Sequence, residues 1–306
     1  MTGLDDQQLD AHLATFGLSS FRPGQREVIS TIINGDDCLC IMPTGGGKSL
    51  CYQLPAIVRP GVVLVVSPLI ALMKDQVDSL TSVGVRATLI NSSLEVAEQH
   101  RRIQMMRDGE FDMVYIAPER LRNLRFLSAV EAIEIQLLAI DEAHCISQWG
   151  HDFRPEYRRL SLLREHFPKT SLHAFTATAT PRVRHDIADQ LQLRDPTVLV
   201  GRFDRPNLNY RILPLVDVRQ QTLEVLQRHD REAAIVYCIS RRDTETMAAW
   251  LTGHGLRAAC YHAGLNADNR RQIQEAFAEE QLDVVVATVA FGMGIDRSNV
   301  RLSLIH

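Results

Sequence analysis

The sequence predicts an α/β fold made of two parallel-sheet domains, the second of which is incomplete. Three observations lead to this prediction. Apolar, β-branched runs alternate with helical stretches, a glycine-rich turn joins one such run to a helix, and the alternation starts again beyond residue 204. Alternation of this kind is typical of a mostly parallel sheet that is covered by helices on both faces. The length of 306 residues also exceeds what one hydrophobic core usually organises, which favours two domains.

The predicted strands fall into two series. The first series occupies residues 37–42, 62–67, 87–91, 113–117, 137–141, 172–176 and 198–201, and the second occupies 233–238, 257–261, 284–288 and 301–305. A proline and short polar residues at 202–207 separate the two series, so we predict domains at residues 1–204 and 205–306. No helix follows the last run to cover it, so we expect the sequence to be a fragment.

Composition and charge narrow the class of protein. The chain has 45% hydrophobic and 23% charged residues, no apolar stretch long enough to cross a bilayer, and a polar, acidic N-terminus unlike a signal peptide. We therefore expect a cytoplasmic protein without a membrane partner. The net charge of −4 argues against a surface coated in positive charge, although a local basic groove remains compatible with it. Six scattered cysteines without a C-x-x-C pair favour buried free thiols over disulfides or a zinc site.

Residues 42–49 read Met-Pro-Thr-Gly-Gly-Gly-Lys-Ser and lie between the predicted strand 37–42 and a helix predicted over residues 50–58. A glycine-rich turn before a helix lets successive backbone N–H groups point at phosphate oxygens. We expect Lys48 to reach the β and γ phosphates of ATP and Ser49 to bind Mg²⁺. The residues expected to contact the nucleotide here are Thr44, Gly45, Gly46, Gly47, Lys48 and Ser49. Met42 replaces the first glycine of the strict pattern, so an ordinary surface turn is the alternative.

Two carboxylates follow the apolar run 137–140 directly. Asp141 and Glu142 should therefore lie at the carboxyl end of a buried strand, where open α/β sheets bind their ligands. We expect Asp141 to hold Mg²⁺ through its water shell and Glu142 to polarise the attacking water. The alternative is a charged helix start, because acidic residues also favour the positive end of a helix dipole.

Seven strings along the chain carry a recognisable pattern. They are MPTGGGKSLCYQLP at 42–55, SPLIALMKDQ at 67–76, YIAPERL at 115–121, DEAHCISQWGHDFRPEY at 141–157, FTATAT at 175–180, YHAGL at 261–265 and VATVAFGMGID at 286–296. In this order they resemble the motifs of RecQ-type ATP-dependent DNA helicases, a DEAH-containing group of helicase superfamily 2. The resemblance implies two RecA-like motor domains that couple ATP hydrolysis to unwinding of duplex DNA. It also implies movement 3′ to 5′ on a single strand and a role in DNA recombination and repair.

The resemblance assigns further residues to the nucleotide. Gln25, with Arg22 beside it, would recognise the adenine edge, because an amide can satisfy both a ring acceptor and an exocyclic amine. The alternative for Gln25 is a turn that caps a helix. In the second domain, Gly294 and Asp296 lie in a turn that would approach the phosphate or ribose closely. A structural turn between a strand and a helix is the alternative there.

The resemblance also assigns residues to single-stranded and duplex DNA. An aromatic-rich loop after the carboxylates would bind single-stranded DNA, since aromatic rings stack on bases without regard to sequence. Its residues are Trp149, His151, Phe153 and Arg154, and packing of the loop onto the core is the alternative. The DNA backbone would be contacted in the first domain by Ser67, Lys74, Gln76 and Arg120. Each of them could instead be an ordinary surface residue. His144, Thr176 and Thr178 would couple the nucleotide to DNA, although threonine is also common in strands.

The chain departs from the pattern in one respect. The arginine motif Q-x-x-G-R-x-G-R of RecQ-type helicases is expected just beyond His306 and is not in the sequence. An arginine that reaches the γ-phosphate contributes on the order of 10³ to 10⁵ in rate in related enzymes, so we expect little turnover without it. The zinc-binding and winged-helix regions of relatives are not in this sequence, so we expect no zinc. Two other functions stay open at this point, a non-cycling module that binds ATP and DNA, and an RNA helicase.

Overall fold

The computed structural model describes residues 6–150, 152–202, 207–288, 291, 297 and 299–305. It consists of two compact units, residues 1–205 and 206–306, each built on a parallel sheet. The prediction of an α/β fold with two parallel sheets is therefore confirmed. Three residues with predicted roles, His151, Gly294 and Asp296, lie outside the described residues.

The first unit contains a seven-stranded sheet with the strand order β3-β4-β2-β5-β6-β1-β7. The strands are β1 Cys38–Ile41, β2 Val62–Val66, β3 Ala87–Ile90, β4 Met113–Ile116, β5 Ile135–Ile140, β6 Ser171–Thr176 and β7 Thr197–Val200. Neighbouring strands pair in parallel throughout. The carboxyl ends of β1 and β5 therefore lie at the same edge of the sheet, separated by the end of β6.

Helices cover both faces of this sheet, and the residues of β2 show why. Val62, Leu64 and Val66 point into one hydrophobic core, whereas Val63 and Val65 point into the other. A strand that is buried on both faces reads as an uninterrupted apolar run, which explains why the sequence revealed the strands so clearly. The helices of the unit are α1 Asp6–Leu13, α2 Gln25–Asn34, α3 Lys48–Val58, α4 Ile70–Ser82, α5 Val96–Arg107, α6 Leu124–Glu131, α7 Leu162–His166 and α8 Pro181–Gln190.

The second unit contains a four-stranded parallel sheet with the order β11-β8-β10-β9. Its strands are β8 Ala233–Tyr237, β9 Ala258–Tyr261, β10 Val284–Ala287 and β11 Val300–Ile305, and its helices are α9 Val218–Arg228, α10 Arg241–Gly253 and α11 Ala267–Ala278. The central strand β10 is buried along its whole length, whereas burial alternates along the edge strand β11. The weaker apolar signal of β11 follows from this alternation.

A buried ion pair anchors the start of β1. The Asp37 carboxylate pairs with the Arg164 guanidinium from α7. Its two oxygens also accept backbone N–H groups, from Leu172 at 2.8 Å and from Arg194 at 2.7 Å. The carboxylate is therefore satisfied by several donors, as a buried charge requires. This contact fixes the end of the sheet opposite the carboxyl edge.

All six cysteines are free thiols. Cys38, Cys40, Cys51, Cys145 and Cys238 are buried, and Cys260 is half-buried. Burial raises the pKa of the Cys40 and Cys145 thiols to about 12. Because the thiolate is the reactive form, the buried thiols are unreactive while the protein is folded.

None of the helices in the described part of the chain combines the length and the apolar character that crossing a membrane would need.

Candidate active site

The glycine-rich loop, residues 42–49, follows β1 at the carboxyl edge of the first sheet. Gly45 and Gly47 both have φ of 78°, a left-handed conformation that favours glycine. The N–H of Gly46 donates to the Pro43 carbonyl at 2.8 Å, and a Cβ on Gly46 would lie 2.8 Å from the same oxygen. The three glycines therefore allow a turn that is too tight for other residues, and the turn leads directly into α3.

Lys48 and Ser49 form the first turn of α3, so that this helix begins two residues earlier than the sequence suggested. The Lys48 ammonium donates to the Met42 carbonyl at 3.1 Å, which places its charge across the glycine-rich loop. The free N–H groups and the positive dipole at the start of a helix favour an anion at this point. The loop, the ammonium and the helix start therefore suit a phosphate group.

Gln25 and Arg22 contact the same loop from the start of α2. The Gln25 amide nitrogen donates to the Gly47 carbonyl at 2.9 Å, and its oxygen accepts the Arg22 backbone N–H at 2.7 Å. The Arg22 guanidinium donates to the Gly45 carbonyl. Gln25 is only 2% exposed, so both polar ends of its amide are committed to the protein. Recognition of adenine by Gln25 stays a prediction, and it would require exchange of these two hydrogen bonds.

Asp141 ends β5 at the same edge of the sheet and is 8% exposed. Burial and the neighbouring Glu142 raise the pKa of the Asp141 carboxyl well above its ordinary value, while Lys48 and His144 act in the opposite direction. The Tyr157 hydroxyl donates to the Asp141 backbone carbonyl at 2.9 Å and holds this end of the strand. A buried carboxylate that is penalised in this way gains from a nearby cation.

Glu142 turns the chain sharply away from β5, with φ of 48°. Its carboxylate lies 3.3 Å from Nδ1 of His144, and the same nitrogen lies 2.9 Å from the Thr176 hydroxyl. The Thr176 hydroxyl donates to the Thr178 carbonyl at 3.1 Å, so it accepts from His144 when that nitrogen carries the proton. The structure thus brings together the two carboxylates and the three residues that were predicted to couple nucleotide and DNA.

The aromatic loop, residues 147–154, continues from the short helix Ala143–Ile146. Ser147 is fully buried, and its hydroxyl and carbonyl accept the N–H groups of Trp149 at 3.2 Å and Gly150 at 3.0 Å. A Cβ on Gly150 would lie 2.5 Å from the His144 carbonyl, so the glycine is needed for a close approach. This tight turn leaves Trp149 58% exposed.

The rest of the aromatic loop is less open. Arg154 donates through Nε and Nη2 to the Asp152 carboxylate, at 3.1 and 2.9 Å, and through Nη1 to the Pro68 carbonyl at 3.1 Å. Phe153 is partly buried, and the guanidinium carbon of Arg158 lies 5.7 Å from the centre of its ring. Arg154 therefore joins the aromatic loop to the segment that follows β2.

The four residues predicted along the DNA backbone have different surroundings. Lys74 is exposed on α4. Ser67 is 1% exposed, and its hydroxyl has no hydrogen-bond partner in the described part of the chain. Gln76 accepts a hydrogen bond from Gln53 at 2.8 Å, and Arg120 donates to Gln99 at 2.7 Å. DNA contact by these residues stays a prediction, and Lys74 is the one that presents a charge to solvent.

Two protein-family models match the chain over the regions that contain these residues. The family model for the DEAD/DEAH box helicase matches residues 22–187, and the model for the helicase conserved C-terminal domain matches residues 217–306. The first match includes the glycine-rich loop, both carboxylates and the aromatic loop. The chain belongs to the DEAD/DEAH box helicase family.

The RecQ resemblance is confirmed by curated relatives of this helicase-family chain. Over 97% of the chain it is 45% identical to the ATP-dependent DNA helicase RecQ of Pasteurella multocida and 44% identical to that of Bacillus subtilis. Over 94% of the chain it is 44% identical to the RecQ-like DNA helicase BLM of Xenopus laevis. The chain spans 47%, 50% and 22% of these relatives, and thus about half the length of the two bacterial proteins.

Solved helicase structures share the fold. Mycobacterium smegmatis helicase Lhr bound to single-stranded DNA and AMP-PNP matches 97% of this chain and 43% of its own, with a TM-score of 0.72 at 22% identity. The DUF1998 helicase MrfA bound to DNA matches 100% of this chain and 44% of its own, with a TM-score of 0.74 at 16% identity. At these identities the likeness supports the helicase fold alone.

Some contacts of this helicase-family site were not predicted from the sequence. Arg182, on α8, lies over the Trp149 ring, and Tyr157 holds the end of β5. Both residues lie within or just beyond conspicuous motifs, which is a signal that could have drawn attention to them. Their partners are remote in sequence, however, so no spacing rule identifies the contacts.

One cluster resembles a metal site in its donor atoms. Among the described residues, His144, Cys145 and Asp152 have donor atoms within 4.8 Å of one another. The Asp152 carboxylate is already paired with Arg154, and burial raises the pKa of the Cys145 thiol. Because the Asp152 carboxylate is engaged by a guanidinium, the cluster is better suited to holding the aromatic loop than to binding zinc.

Proposed function

We propose that this chain is the motor region of an ATP-dependent DNA helicase of the RecQ type, which moves 3′ to 5′ on one strand and unwinds duplex DNA. The proposal depends above all on the series of contacts that connects the two carboxylates to Trp149. Glu142, which follows Asp141, contacts His144, and the His144 carbonyl accepts the N–H of Ser147, whose hydroxyl accepts the Trp149 N–H. A nucleotide-dependent change at the carboxylates would reach the aromatic loop within a few residues. The DNA helicases among the relatives support DNA as the substrate, because the chain resembles them over nearly its whole length.

The residues of the site fit ATP with Mg²⁺. The glycine-rich loop is so tightly folded that side chains in place of two of its glycines would collide with neighbouring atoms. The Lys48 ammonium lies across this loop. Asp141 is a buried carboxylate whose charge is disfavoured by its surroundings, and Ser49 lies in the same carboxyl-edge region. Ser49 and Asp141 would hold the metal ion, which neutralises phosphate charge when it is bound.

The protein's own residues have distinct roles in this proposal. Lys48 binds and orients the terminal phosphates, and Glu142 accepts a proton from the attacking water. His144 shares its Nδ1 between Glu142 and Thr176, so movement of the carboxylate changes the hydrogen bond to the threonine. Trp149 offers a stacking surface for bases. A role in recombination and repair, and a cytoplasmic location, belong to the same proposal and depend on the resemblance to RecQ-type helicases.

The test is ATP hydrolysis by the purified chain with no nucleic acid, with single-stranded DNA and with RNA of the matching sequence. We expect slow hydrolysis that DNA stimulates more than RNA, and we expect Glu142→Gln to abolish it while nucleotide binding persists. Stronger stimulation by RNA would favour an RNA helicase. Binding of both ligands without any hydrolysis would replace the motor with a module that binds ATP and DNA but does not cycle.

A further inference from the structure

Arg182 packs against the exposed tryptophan of the aromatic loop. Its guanidinium carbon lies 3.3 Å from the centre of the Trp149 ring, which is the geometry of a cation–π contact. The contact joins residues that are far apart in sequence. It connects α8, which follows the Thr176 and Thr178 segment, to the loop that follows the two carboxylates.

Both partners of this contact are held in place. Arg182 is the second residue of α8, and that helix is capped by the Thr180 hydroxyl, which accepts the Val183 N–H at 3.3 Å. Trp149 is fixed by the buried Ser147 through its backbone N–H. The guanidinium and the indole therefore extend from two short segments whose backbones are anchored.

The contact leaves much of the indole open. Trp149 is 58% exposed although the guanidinium lies over its ring. An aromatic ring has two faces, and a base needs only one of them for stacking. A ring that is supported on one side and open on the other has already lost the side-chain freedom that binding would otherwise remove.

We propose that Arg182 is a positioning residue for single-stranded DNA, which fixes the plane of Trp149 so that its open face receives a base. This inference depends on the proposed function, because it assigns a role within the same DNA-binding loop. A planar guanidinium can stack on an indole in a way that a lysine ammonium cannot. Arg182 therefore acts through Trp149 and does not itself contact the bound strand.

The test compares Arg182→Ala with the matched control Arg184→Ala. Arg184 lies on the same helix and carries the same charge, but its Nε donates to the Ala179 carbonyl at 3.0 Å. Affinity for a fluorescently labelled oligothymidylate would be measured by anisotropy over a range of salt concentrations. We expect Arg182→Ala and Arg182→Lys to weaken binding by about threefold, because DNA must then order a Trp149 side chain that the guanidinium no longer holds, and we expect Arg184→Ala to leave binding nearly unchanged.

A double-mutant cycle with Trp149→Ala shows whether Arg182 acts through the ring. We expect the effect of Arg182→Ala to vanish when Trp149 is already alanine, and the salt dependence to stay the same. In a Trp250→Phe background, where Trp149 is the only tryptophan, we also expect Arg182→Ala to change the emission of the free protein.

Three results would overturn the inference. An equal loss in the Trp149→Ala background, with a salt slope shallower by about 0.7, would mean that Arg182 binds a phosphate itself. Tighter binding by Arg182→Ala would mean that the guanidinium competes with the base for the ring. No change in affinity, although Trp149→Ala weakens binding, would mean that the contact has no role in DNA binding. If Trp149→Ala itself had no effect, the assignment of the aromatic loop to DNA would fail instead.

Discussion

The glycine-rich loop and the aromatic loop follow parallel strands of the same sheet, and both contain a glycine whose backbone approaches a carbonyl closely. Their side chains differ in orientation. At the glycine-rich loop, the side chains of Gln25, Arg22 and Lys48 donate hydrogen bonds to backbone carbonyls of the loop. In the aromatic loop, Trp149 is 58% exposed although Arg182 lies over its ring. A ligand of the first loop must therefore exchange existing hydrogen bonds, whereas a ligand of the second adds a contact to an exposed ring.

This difference matches the chemistry of the two expected ligands. Exchange of hydrogen bonds is selective, because a ligand that cannot replace each lost bond leaves a buried polar group unpaired. Stacking on an exposed ring is tolerant, because every base has a flat face. The comparison predicts that substitutions in one loop affect one ligand, and that residues between the loops affect only the coupling.

The largest effect is expected for Lys48→Ala. Loss of the ammonium removes the positive charge next to the phosphates, so we expect ATP hydrolysis to fall by about 100-fold or more. Binding of a fluorescent ATP analogue with Mg²⁺ and binding of single-stranded DNA would be measured in parallel. DNA binding should be unchanged, and Lys169→Ala, an exposed lysine in the turn before β6, is the matched control. Unchanged nucleotide binding in Lys48→Ala would contradict the assignment of the loop.

A smaller effect is expected for Trp149→Ala. Loss of a stacking surface costs about 1–3 kcal/mol per base, so affinity for single-stranded DNA should fall by about tenfold or more. Nucleotide affinity measured without DNA should stay the same. Trp250→Phe, a ring change in the second unit, serves as the control. A loss of nucleotide affinity in Trp149→Ala would show that the two loops are not independent.

Gln25→Ala tests whether the buried amide reads the base. Each hydrogen bond contributes about 0.5–1.5 kcal/mol, so loss of two should reduce the preference for ATP over GTP by about tenfold. Competition between the two nucleotides for the fluorescent analogue measures this preference. An equal loss of affinity for both nucleotides would mean that Gln25 only supports the loop through Gly47.

The smallest effect is expected for Thr176→Val, which removes the hydroxyl that lies 2.9 Å from His144. The two loops should each keep their affinity, but the ratio of DNA affinities with and without a non-hydrolysable nucleotide should shrink by about threefold. This ratio is a coupling free energy, and the same factor must appear in nucleotide affinity with and without DNA. A ratio equal to that of the unsubstituted protein would exclude the threonine from the coupling path.

The strands of the first unit could be predicted from sequence because burial on both faces produces uninterrupted apolar runs. The end of β1 shows the limit of this rule. The sequence suggested a strand over residues 37–42, whereas β1 spans Cys38–Ile41, and the Asp37 carboxylate before it accepts backbone N–H groups from two other segments. A contact with residues more than a hundred positions away leaves no local pattern.

The candidate site was predictable to a similar degree. The glycine-rich turn and the carboxylates were evident because their chemistry depends on neighbouring residues. The hydrogen bonds of the half-buried Gln76 and Arg120 were not evident, since a polar side chain gives the same sequence signal whether it bonds to Gln53 or Gln99 or meets solvent. The contact between Trp149 and Arg182 was invisible for the same reason. Sequence identifies which groups are present, and tertiary structure decides which of them are already paired.

The distribution of the cysteines has a practical consequence. Cys260, in the second unit, is the half-buried thiol of the six, while three of the buried ones lie in β1 and α3, the two elements that flank the glycine-rich loop. A maleimide dye should therefore modify the folded protein first at Cys260. The slower labelling of Cys38, Cys40 and Cys51 would then record how often the first unit opens, without an engineered cysteine in that unit.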